Sequence, residues 1–342
     1  MTINQTTHHP SFRLLAAPTT LPYHPTPPVL CACLPDRVFV ISRHEANDQV
    51  WVTSIDPAGN MTSHSPLPVP FVAGITPCEN EIHVLGSRGQ AFYDLHLDHN
   101  GSVLGETALS TGPDLLLTPQ IACGSPTIYF WIDAQGQLHV QQGEQLSTTS
   151  LSDLTLELVA ATTPTGLAFL RAVGIPGYLE LIHYEAGRVR HIQAIAGSEQ
   201  GYCPLLFWRG DHYLLLWVSR PTRSIRLQKL AADFSPVGQA HTLLALNYPT
   251  TFRWLRCLAA SKGNIVLAWQ TEQAGDGMNR DGIPLPDLSQ YMALLDPIQP
   301  ELKGVTAVNF TADSYFTGCL SGQLLMVVLG GGQATVLTYQ VN

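Results

Sequence analysis

The chain has 342 residues, and only 13% of them are charged, about half the share found in an average globular domain. Hydrophobic residues make up 45%, the formal net charge is −9, and the chain contains 14 arginines but only three lysines. This composition excludes a coiled coil and a largely disordered chain, and its acidic balance argues against nucleic acids and anionic membranes as partners. No apolar run of 18 residues predicts a membrane-spanning helix.

Short β-rich runs recur along the chain at a nearly regular interval. The seven runs are VFVIS (38–42), IHVLG (82–86), IYFWI (128–132), LAFLR (167–171), YLLLW (213–217), IVLAW (265–269) and LLMVV (324–328). Their starts lie 39 to 59 residues apart. The mean spacing of about 48 residues is the length of one β-propeller blade.

The segments before these runs fit the first strand of a blade. Small residues and a turn precede most runs, as in CACLPDR at 31–37 and IACGSPT at 121–127. The innermost strand of a four-stranded blade has room only for small side chains, so these stretches predict strand A and the runs predict strand B. We expect all seven cysteines to be reduced, and five to pack on these inner strands: Cys31, Cys33, Cys123, Cys257 and Cys319.

A third run follows in several blades and ends with an acidic residue and a glycine. Aspartate favours the start of a turn and glycine supplies a positive φ, so this pattern predicts the turn between strands C and D. The predicted turn-forming residues are Asp56, Asp98, Glu185, Asp233 and Asp296.

The last repeat is short, because residues 324–342 supply only two strands before the sequence stops. Segment 11–20, SFRLLAAPTT, precedes the first blade and has no other partner. We expect it to complete the last blade and remove an open sheet edge.

The whole chain therefore resembles the seven-bladed β-propeller superfamily. The resemblance implies an all-β fold of four-stranded antiparallel blades in one domain, residues 1–342, with an N-terminal strand closing the last blade and residues 1–10 disordered. The sequence lacks the Trp-Asp dipeptide of WD40 repeats, the repeated double glycines of kelch blades, and the inner-strand iron histidines of carotenoid oxygenases.

Propeller ligands usually bind where the B-to-C and D-to-A loops converge. Arginine, which binds carboxylates and phosphates with a planar fork, recurs at the ends of the B strands, and aromatic residues begin several A strands. The predicted substrate-binding residues are Arg43, Arg88, Arg171, Arg220, Phe71, Trp254 and Tyr315. The structural alternative is that these arginines pair with loop acids such as Asp48 and that the aromatic residues plug the channel.

Three residues on the same predicted face are candidates for acid–base catalysis: Asp133, His44 and Tyr202. Each is also interpretable as an ordinary loop residue. The sequence shows no nucleophile elbow, Walker A motif or dinucleotide-binding glycine motif. His83, His139 and His183 alternate within strands, and no pair of histidines has a metal-ligand spacing on a shared element. We therefore expect neither a metal nor a cofactor.

Segment 270–290 is the longest B-to-C connection and contains three glycines and two prolines. Long loops without regular structure are usually functional or disordered. This segment is interpreted either as a lid over the channel mouth or as a mobile surface insertion.

Two functions fit these observations. The first is a cofactor-independent enzyme of specialised metabolism, a lyase, cyclase or isomerase that acts on a small anionic or aromatic substrate. The second is a non-catalytic scaffold or a lectin-like binding protein. The sequence start lacks a signal-peptide pattern, so we expect a cytoplasmic protein, and we expect it to be a monomer.

Overall fold

The structure is a computed structural model. It describes residues 12–14, 19–20, 25–44, 48–56, 58–78, 80–112, 114–124, 126–163, 166–174, 177–260, 264–278, 284–296, 298–308, 315–321, 324–330 and 335–341. Residues 1–10, predicted to be disordered, lie outside these ranges. No helix within them is long and apolar enough to cross a membrane.

All the regular elements described are β-strands, and they are numbered in chain order. They are β1 (Phe12–Leu14), β2 (Thr19–Thr20), β3 (Pro25–Leu34), β4 (Arg37–His44), β5 (Val50–Ile55), β6 (Met61–Pro66), β7 (Phe71–Cys78), β8 (Glu81–Arg88), β9 (Ala91–Leu97), β10 (Val103–Ala108), β11 (Leu115–Ala122), β12 (Ile128–Asp133), β13 (Gln137–Gln142), β14 (Gln145–Ser150), β15 (Thr155–Thr163), β16 (Gly166–Gly174), β17 (Gly177–Glu185), β18 (Arg188–Ala194), β19 (Gly201–Trp208), β20 (His212–Ser219), β21 (Ser224–Ala231), β22 (Pro236–Ala245), β23 (Thr251–Ala260), β24 (Ile265–Met278), β25 (Pro284–Asp296), β26 (Glu301–Val308), β27 (Tyr315–Ser321), β28 (Leu324–Gly330) and β29 (Thr335–Val341).

Six sheets of the described structure are blades of the predicted form, each made of four consecutive antiparallel strands. They are β3–β6, β7–β10, β11–β14, β15–β18, β19–β22 and β23–β26. The remaining sheet, here called the closing sheet, has five strands: β27, β28 and β29, with β1 and β2 both paired to β29. The prediction of seven four-stranded blades is therefore wrong, because six sheets have that form. The sequence between β1 and β2 contains Pro18, which has no N–H to donate to a continuous strand ladder.

The closing sheet joins the two ends of the sequence, as predicted for segment 11–20. Phe12 pairs with Val341 and Leu14 with Tyr339, while Thr19 pairs with Val336 farther along the same strand. Phe12 is buried and packs edge-on against the ring of Tyr339 at 6.3 Å. The N-terminal strands thus cover the edge that β29 would otherwise expose.

The period-based strand assignment is confirmed. Each of the seven apolar runs lies in the second strand of its sheet, from β4 through β28. The small-residue segments form the first strands, with Cys31 and Cys33 on β3, Cys257 on β23 and Cys319 on β27. The predicted turn role is also confirmed at Asp98, whose Oδ1 accepts the N–H groups of Asn100 and Ser102 at 2.8 Å each.

Two compact units divide the chain. The central unit, Ser152–Ala312, contains the three blades of β15–β26. Its apolar side chains pack between neighbouring sheets, with Trp217 and Trp269 buried in separate clusters. The terminal unit, Pro10–Leu151 with Asp313–Asn342, contains the other three blades and the closing sheet. Trp131 is buried there in a cluster between the blades of β7–β10 and β11–β14, so all three tryptophans pack between neighbouring blades.

One expectation about the cysteines is wrong. Cys78 and Cys123 form a disulfide, with their Cα atoms 5.5 Å apart. Cys78 ends β7 and Cys123 follows β11, and these first strands of neighbouring blades lie in contact. Their separation of 45 residues matches one repeat of the blade pattern, which explains why they meet.

The interpretation of segment 270–290 as a loop is corrected as well. Most of it is the extended end of the β24–β25 hairpin, in which Gln273 pairs with Asp287 and Met278 pairs with Pro284. Residues 279–283 lie outside the described residues. The role of a lid stays a prediction.

Candidate functional site

Within the described residues, two of the predicted site residues lie together at one cavity. Tyr202 and Arg220 line a cavity of about 310 Å³ in the central unit, here called the arginine cavity. Its other lining residues are Ser219, Arg223, Thr251, Phe252, Arg253 and Glu272. Three arginines against one carboxylate give this concavity a positive balance on an acidic protein.

The turn between β20 and β21 supplies two of these arginines. The backbone N–H of Arg223 donates to the carbonyl oxygen of Arg220 at 3.2 Å, and Arg223 has a φ of 45°. Thr222 Oγ1 lies 2.9 Å from Ser219 Oγ and 2.6 Å from Ser224 Oγ, which ties the two strand ends together. This tight turn places both guanidinium groups on one wall of the cavity.

Tyrosine rings support the two guanidinium groups. Arg220 lies over the ring of Tyr202 at 4.8 Å, and Arg223 over the ring of Tyr248 at 5.5 Å. Such contacts use the face of the guanidinium and leave its N–H edge available to an anion. The Nε of Arg223 is buried and has no hydrogen-bond partner among the described residues.

Within the described part of the chain, the three cavity arginines lack the ion pairs that Arg43, Arg88 and Arg171 make. Among the residues that the structure describes, no carboxylate oxygen lies within 4.0 Å of a guanidinium nitrogen of Arg220, Arg223 or Arg253. Glu272, on β24, is the one acidic residue that lines the cavity, and it contacts the hydroxyl of Thr251 at 3.5 Å. The cavity therefore presents positive charge that the described part of the protein does not neutralise by direct pairing.

Tyr202 lines the cavity with its aromatic ring, and its hydroxyl does not act as an acid or a base. Its hydroxyl donates to the carbonyl oxygen of Phe252 at 2.5 Å, and burial raises the pKa of Tyr202 well above its usual range. A phenol held in this way stays protonated at neutral pH. Its ring is the part that serves the cavity, as the platform under Arg220.

The other predicted arginines follow the structural alternative. Arg43 pairs with Asp48 at 3.0 Å and donates to the carbonyl oxygen of Pro70 at 2.7 Å. Arg88 holds both oxygens of Glu106, at 3.1 and 2.6 Å. These contacts occupy the guanidinium N–H groups that an anionic ligand would need.

Arg171 is fully buried inside its blade. It contacts Glu180 Oε2 through Nε at 2.8 Å and through a terminal nitrogen at 2.5 Å, and it also donates to Thr155 Oγ1 at 2.9 Å and the carbonyl oxygen of Ser152 at 2.8 Å. Its role is to hold β15, β16 and β17 together.

The predicted acid–base residues Asp133 and His44 lie in the terminal unit and do not line the arginine cavity. Asp133 forms the β12–β13 turn: its Oδ1 accepts the N–H groups of Gln135 and Gln137, while Oδ2 contacts His139 Nε2 at 2.8 Å. It thus has the turn role predicted for other aspartates.

His44, at the end of β4, stacks on the rings of Trp51 and His64, each with a centroid distance of 5.0 Å. Burial lowers the pKa of His44. Its ring is therefore neutral at pH 7 and belongs to a stack of three aromatic side chains.

The predicted aromatic residues are dispersed. Phe71 begins β7 and is exposed, and Trp254, on β23, lies under the guanidinium of Arg256 at 5.0 Å. Tyr315 begins β27, and its side chain lies outside the described part of the chain. Neither Phe71 nor Trp254 lines the arginine cavity.

A second cavity of the central unit, of about 480 Å³, lies along the other face of strands β24 and β25. Thr271 and Gln273 line it, whereas Glu272 between them lines the arginine cavity, as the two-residue alternation of a strand requires. Trp269 and Tyr291 stack within it at 5.7 Å.

A cluster of histidines and carboxylates in the terminal unit escaped the sequence analysis. Glu81 and His83 alternate on β8, Asp94 and His96 alternate on β9, and the two histidines pair across the strands. Strands β8 and β9 each contain a single histidine, so no histidine pair with a ligand spacing occurs within either strand. The visible signal was the pair of motifs E-x-H and D-x-H in consecutive strands, which places all four side chains on one face of the sheet.

The comparisons with known proteins identify the architecture and nothing finer. No protein-family model and no curated protein matches the chain. Among solved structures, the WD40 domain of SCAP from fission yeast is similar with a TM-score of 0.53 at 8% identity, covering 96% of this chain and 98% of that one. BBS1N, in a complex with ARL6DN, gives a TM-score of 0.54 at 10% identity, with 97% of each chain covered.

A post-proline cleaving enzyme from Rickettsia typhi gives a TM-score of 0.53 at 9% identity, and 91% of this chain is covered. The match takes in 52% of that enzyme's chain, about half its length. At such low identities these likenesses show the fold alone. The protein has a β-propeller architecture.

Proposed function

We propose that the protein is a β-propeller that binds a small anionic ligand, carrying a carboxylate or a phosphate, in the arginine cavity. The observation that carries this proposal is the presence of three arginines without a paired carboxylate among the described residues around one concavity. The other predicted site arginines, Arg43, Arg88 and Arg171, are paired with Asp48, Glu106 and Glu180. Leaving Arg220 and Arg223 unpaired is useful where a ligand supplies the negative charge.

Binding fits this geometry better than acid–base catalysis. The cavity lining includes Tyr202 but neither Asp133 nor His44, and the hydroxyl of Tyr202 is committed to the carbonyl oxygen of Phe252. A general acid or base needs a titratable group within hydrogen-bond reach of the reacting atom. The carboxylate in the described lining is Glu272, whose Oε1 accepts the hydroxyl of Thr251 at 3.5 Å. The cavity supplies charge and aromatic surface, which are the features of a recognition site.

Calorimetric titration of the full chain with phenyl phosphate, benzoate and neutral benzyl alcohol tests this proposal. Each charged hydrogen bond from arginine contributes about 1.5–3 kcal/mol. We therefore expect both anions to bind, the neutral probe to bind at least about tenfold more weakly, and added salt to weaken the anions. The ratio of the two anion affinities identifies which acidic group the site prefers.

The double variant R220A/R223A is expected to lose at least about tenfold in anion affinity. The matched control is R188A, which removes an exposed arginine from β18 of the same unit. Equal anion binding by the wild type and R220A/R223A would overturn the proposal, as would equal binding of benzyl alcohol and benzoate by the wild type.

A further inference from the structure

The histidine–carboxylate cluster of β8 and β9 has the composition of a metal site. Glu81, His83 and His96 each offer a ligand atom, and these three atoms lie within 4.8 Å of one another. Two imidazoles and one carboxylate form a ligand set typical of zinc, leaving a further coordination position for water or another ligand. This cluster lies in the terminal unit and shares no residue with the arginine cavity.

The distances suit a single ion. His96 Nδ1 lies 3.8 Å from Glu81 Oε2. Two donors that each lie about 2.1 Å from one zinc ion are at most about 4.2 Å apart, so this pair fits without rearrangement. A side-chain movement of less than about 1 Å brings the third donor within the same limit.

Asp94 lies behind the two histidines and is completely buried. Its Oδ2 contacts His83 Nδ1 at 2.6 Å and His96 Nε2 at 3.3 Å, and accepts the hydroxyl hydrogen of Tyr129 at 2.7 Å. A carboxylate behind a histidine is the arrangement that orients imidazoles around metal ions. These contacts leave His83 Nε2 and His96 Nδ1 as the nitrogens available to an ion.

A second observation also points to a missing partner. Asp94 Oδ1 is buried and has no hydrogen-bond partner among the described residues. A buried carboxylate oxygen without a donor is costly unless positive charge lies near it. The ring centroids of His83 and His96 are 4.5 Å apart. A cation bound by these histidines would compensate the negative charge of Asp94.

Exposure gives an ion a route to the cluster. The side chain of Glu81 is 43% exposed and that of His96 is 30% exposed, whereas His83 is almost fully buried. The cluster is therefore open to solvent on the Glu81 side and closed on the Asp94 side. A metal ion can enter without unfolding the blade.

We propose that Glu81, His83 and His96 bind a divalent transition-metal ion, with zinc as the fitting ion, and that Asp94 lies behind the ligands as their charge-compensating neighbour. The softer nitrogen ligands favour Zn²⁺ over Mg²⁺, which prefers six oxygen ligands. The site lies on one face of its blade, where His83 of β8 is paired directly with His96 of β9.

Titration of the metal-stripped full chain with zinc chloride tests the proposal. We expect one Zn²⁺ per chain at this site, a higher melting temperature with zinc than without it, and no comparable effect of Mg²⁺. The variants E81Q and H96A remove one ligand each at partly exposed positions, so their folding is least at risk. We expect each to weaken zinc binding by at least about tenfold.

The matched control is H191A. His191 pairs with His183 across β17 and β18, and its Nε2 contacts Gln193 Oε1 at 3.4 Å. We expect H191A to bind zinc as the wild type does. Circular dichroism and melting in the absence of metal establish that each variant is folded. Failure of the wild type to bind zinc, or equal zinc binding by folded E81Q, H96A and wild type, would overturn the proposal.

Discussion

Arg171 and Arg88 both pair with a glutamate, but only Arg171 is fully buried. A buried ion pair that loses one partner leaves an uncompensated charge in a low-dielectric interior, whereas an exposed pair is replaced by water. Arginine therefore has a structural role at the end of one B strand, at Arg171, and a minor surface role at the end of another, at Arg88.

Replacing Arg171 with alanine is expected to destabilise the protein by about 3–5 kcal/mol, because Glu180 would remain buried without its partner. Urea denaturation followed by tryptophan fluorescence measures this change. The control R88A should cost less than about 1 kcal/mol. Equal effects of the two substitutions would show that burial does not distinguish these pairs.

Single residues were the hardest level to predict from the sequence. The recurrence of arginine at the ends of B strands drew attention to Arg220, which lines the arginine cavity, but Arg43, Arg88 and Arg171 carry the same signal. What separates them is a carboxylate supplied by a different part of the chain, such as Glu106 on β10 for Arg88. Sequence spacing does not show which acid lies beside which base, so residue type alone does not separate the paired arginines from those that line the arginine cavity.

At the level of elements, β1 contributes a short strand with a large apolar anchor. Phe12 is 4% exposed and packs on Tyr339 of β29. Because the pairing covers the edge of β29, loss of the anchor should loosen the closing sheet and expose a strand edge.

The substitution F12A is expected to lower the free energy of unfolding by about 3 kcal/mol, the usual cost of removing a buried phenylalanine side chain. Chemical denaturation measures this loss, and light scattering during heating reports the exposed edge. The control F71A removes a phenylalanine that is 37% exposed and should cost less than about 1 kcal/mol. A loss below 1 kcal/mol for F12A would contradict a stabilising role of closure.

Elements were predicted well where hydrophobic periodicity was strong. All seven B strands carry a continuous apolar run. Six of them, β4, β8, β12, β16, β20 and β24, are buried on both faces, as Leu214, Leu215 and Leu216 of β20 illustrate. The β24–β25 extension was missed because residues 273–278 are glycine-rich and polar, a composition that usually marks a loop. Cross-strand pairing with residues 284–287 sustains the hairpin there, and local composition does not report such pairing.

At the level of the whole molecule, the seven cysteines fall into two chemical states. Cys78 and Cys123 are joined, and the other five are free. Burial raises the pKa of Cys203 and that of Cys257 to about 12 each. Their thiolate forms, which are the reactive species, are therefore scarce at neutral pH in the folded protein.

Thiol counting with Ellman's reagent is expected to give five thiols in denaturant without reductant and seven after reduction. In the folded protein at pH 8, Cys203 and Cys257 should react about a thousandfold more slowly than an exposed thiol, because a pKa near 12 leaves so little thiolate. Their rates should rise with pH. Seven reactive thiols without reductant would contradict the disulfide, and fast native labelling at Cys203 or Cys257 would contradict their burial.

The closing sheet pairs two strands that are synthesised at very different times. Phe12 and its partner Val341 are 329 positions apart in the chain, so Phe12 is synthesised before Val341. At translation rates of about 5–20 residues per second, roughly 15–65 s pass between the two events. During that interval strand β1 has no native partner, because β29 has not yet been synthesised. Strand β1 is therefore open to chaperones during this interval, and translation pauses between the two segments would prolong that exposure.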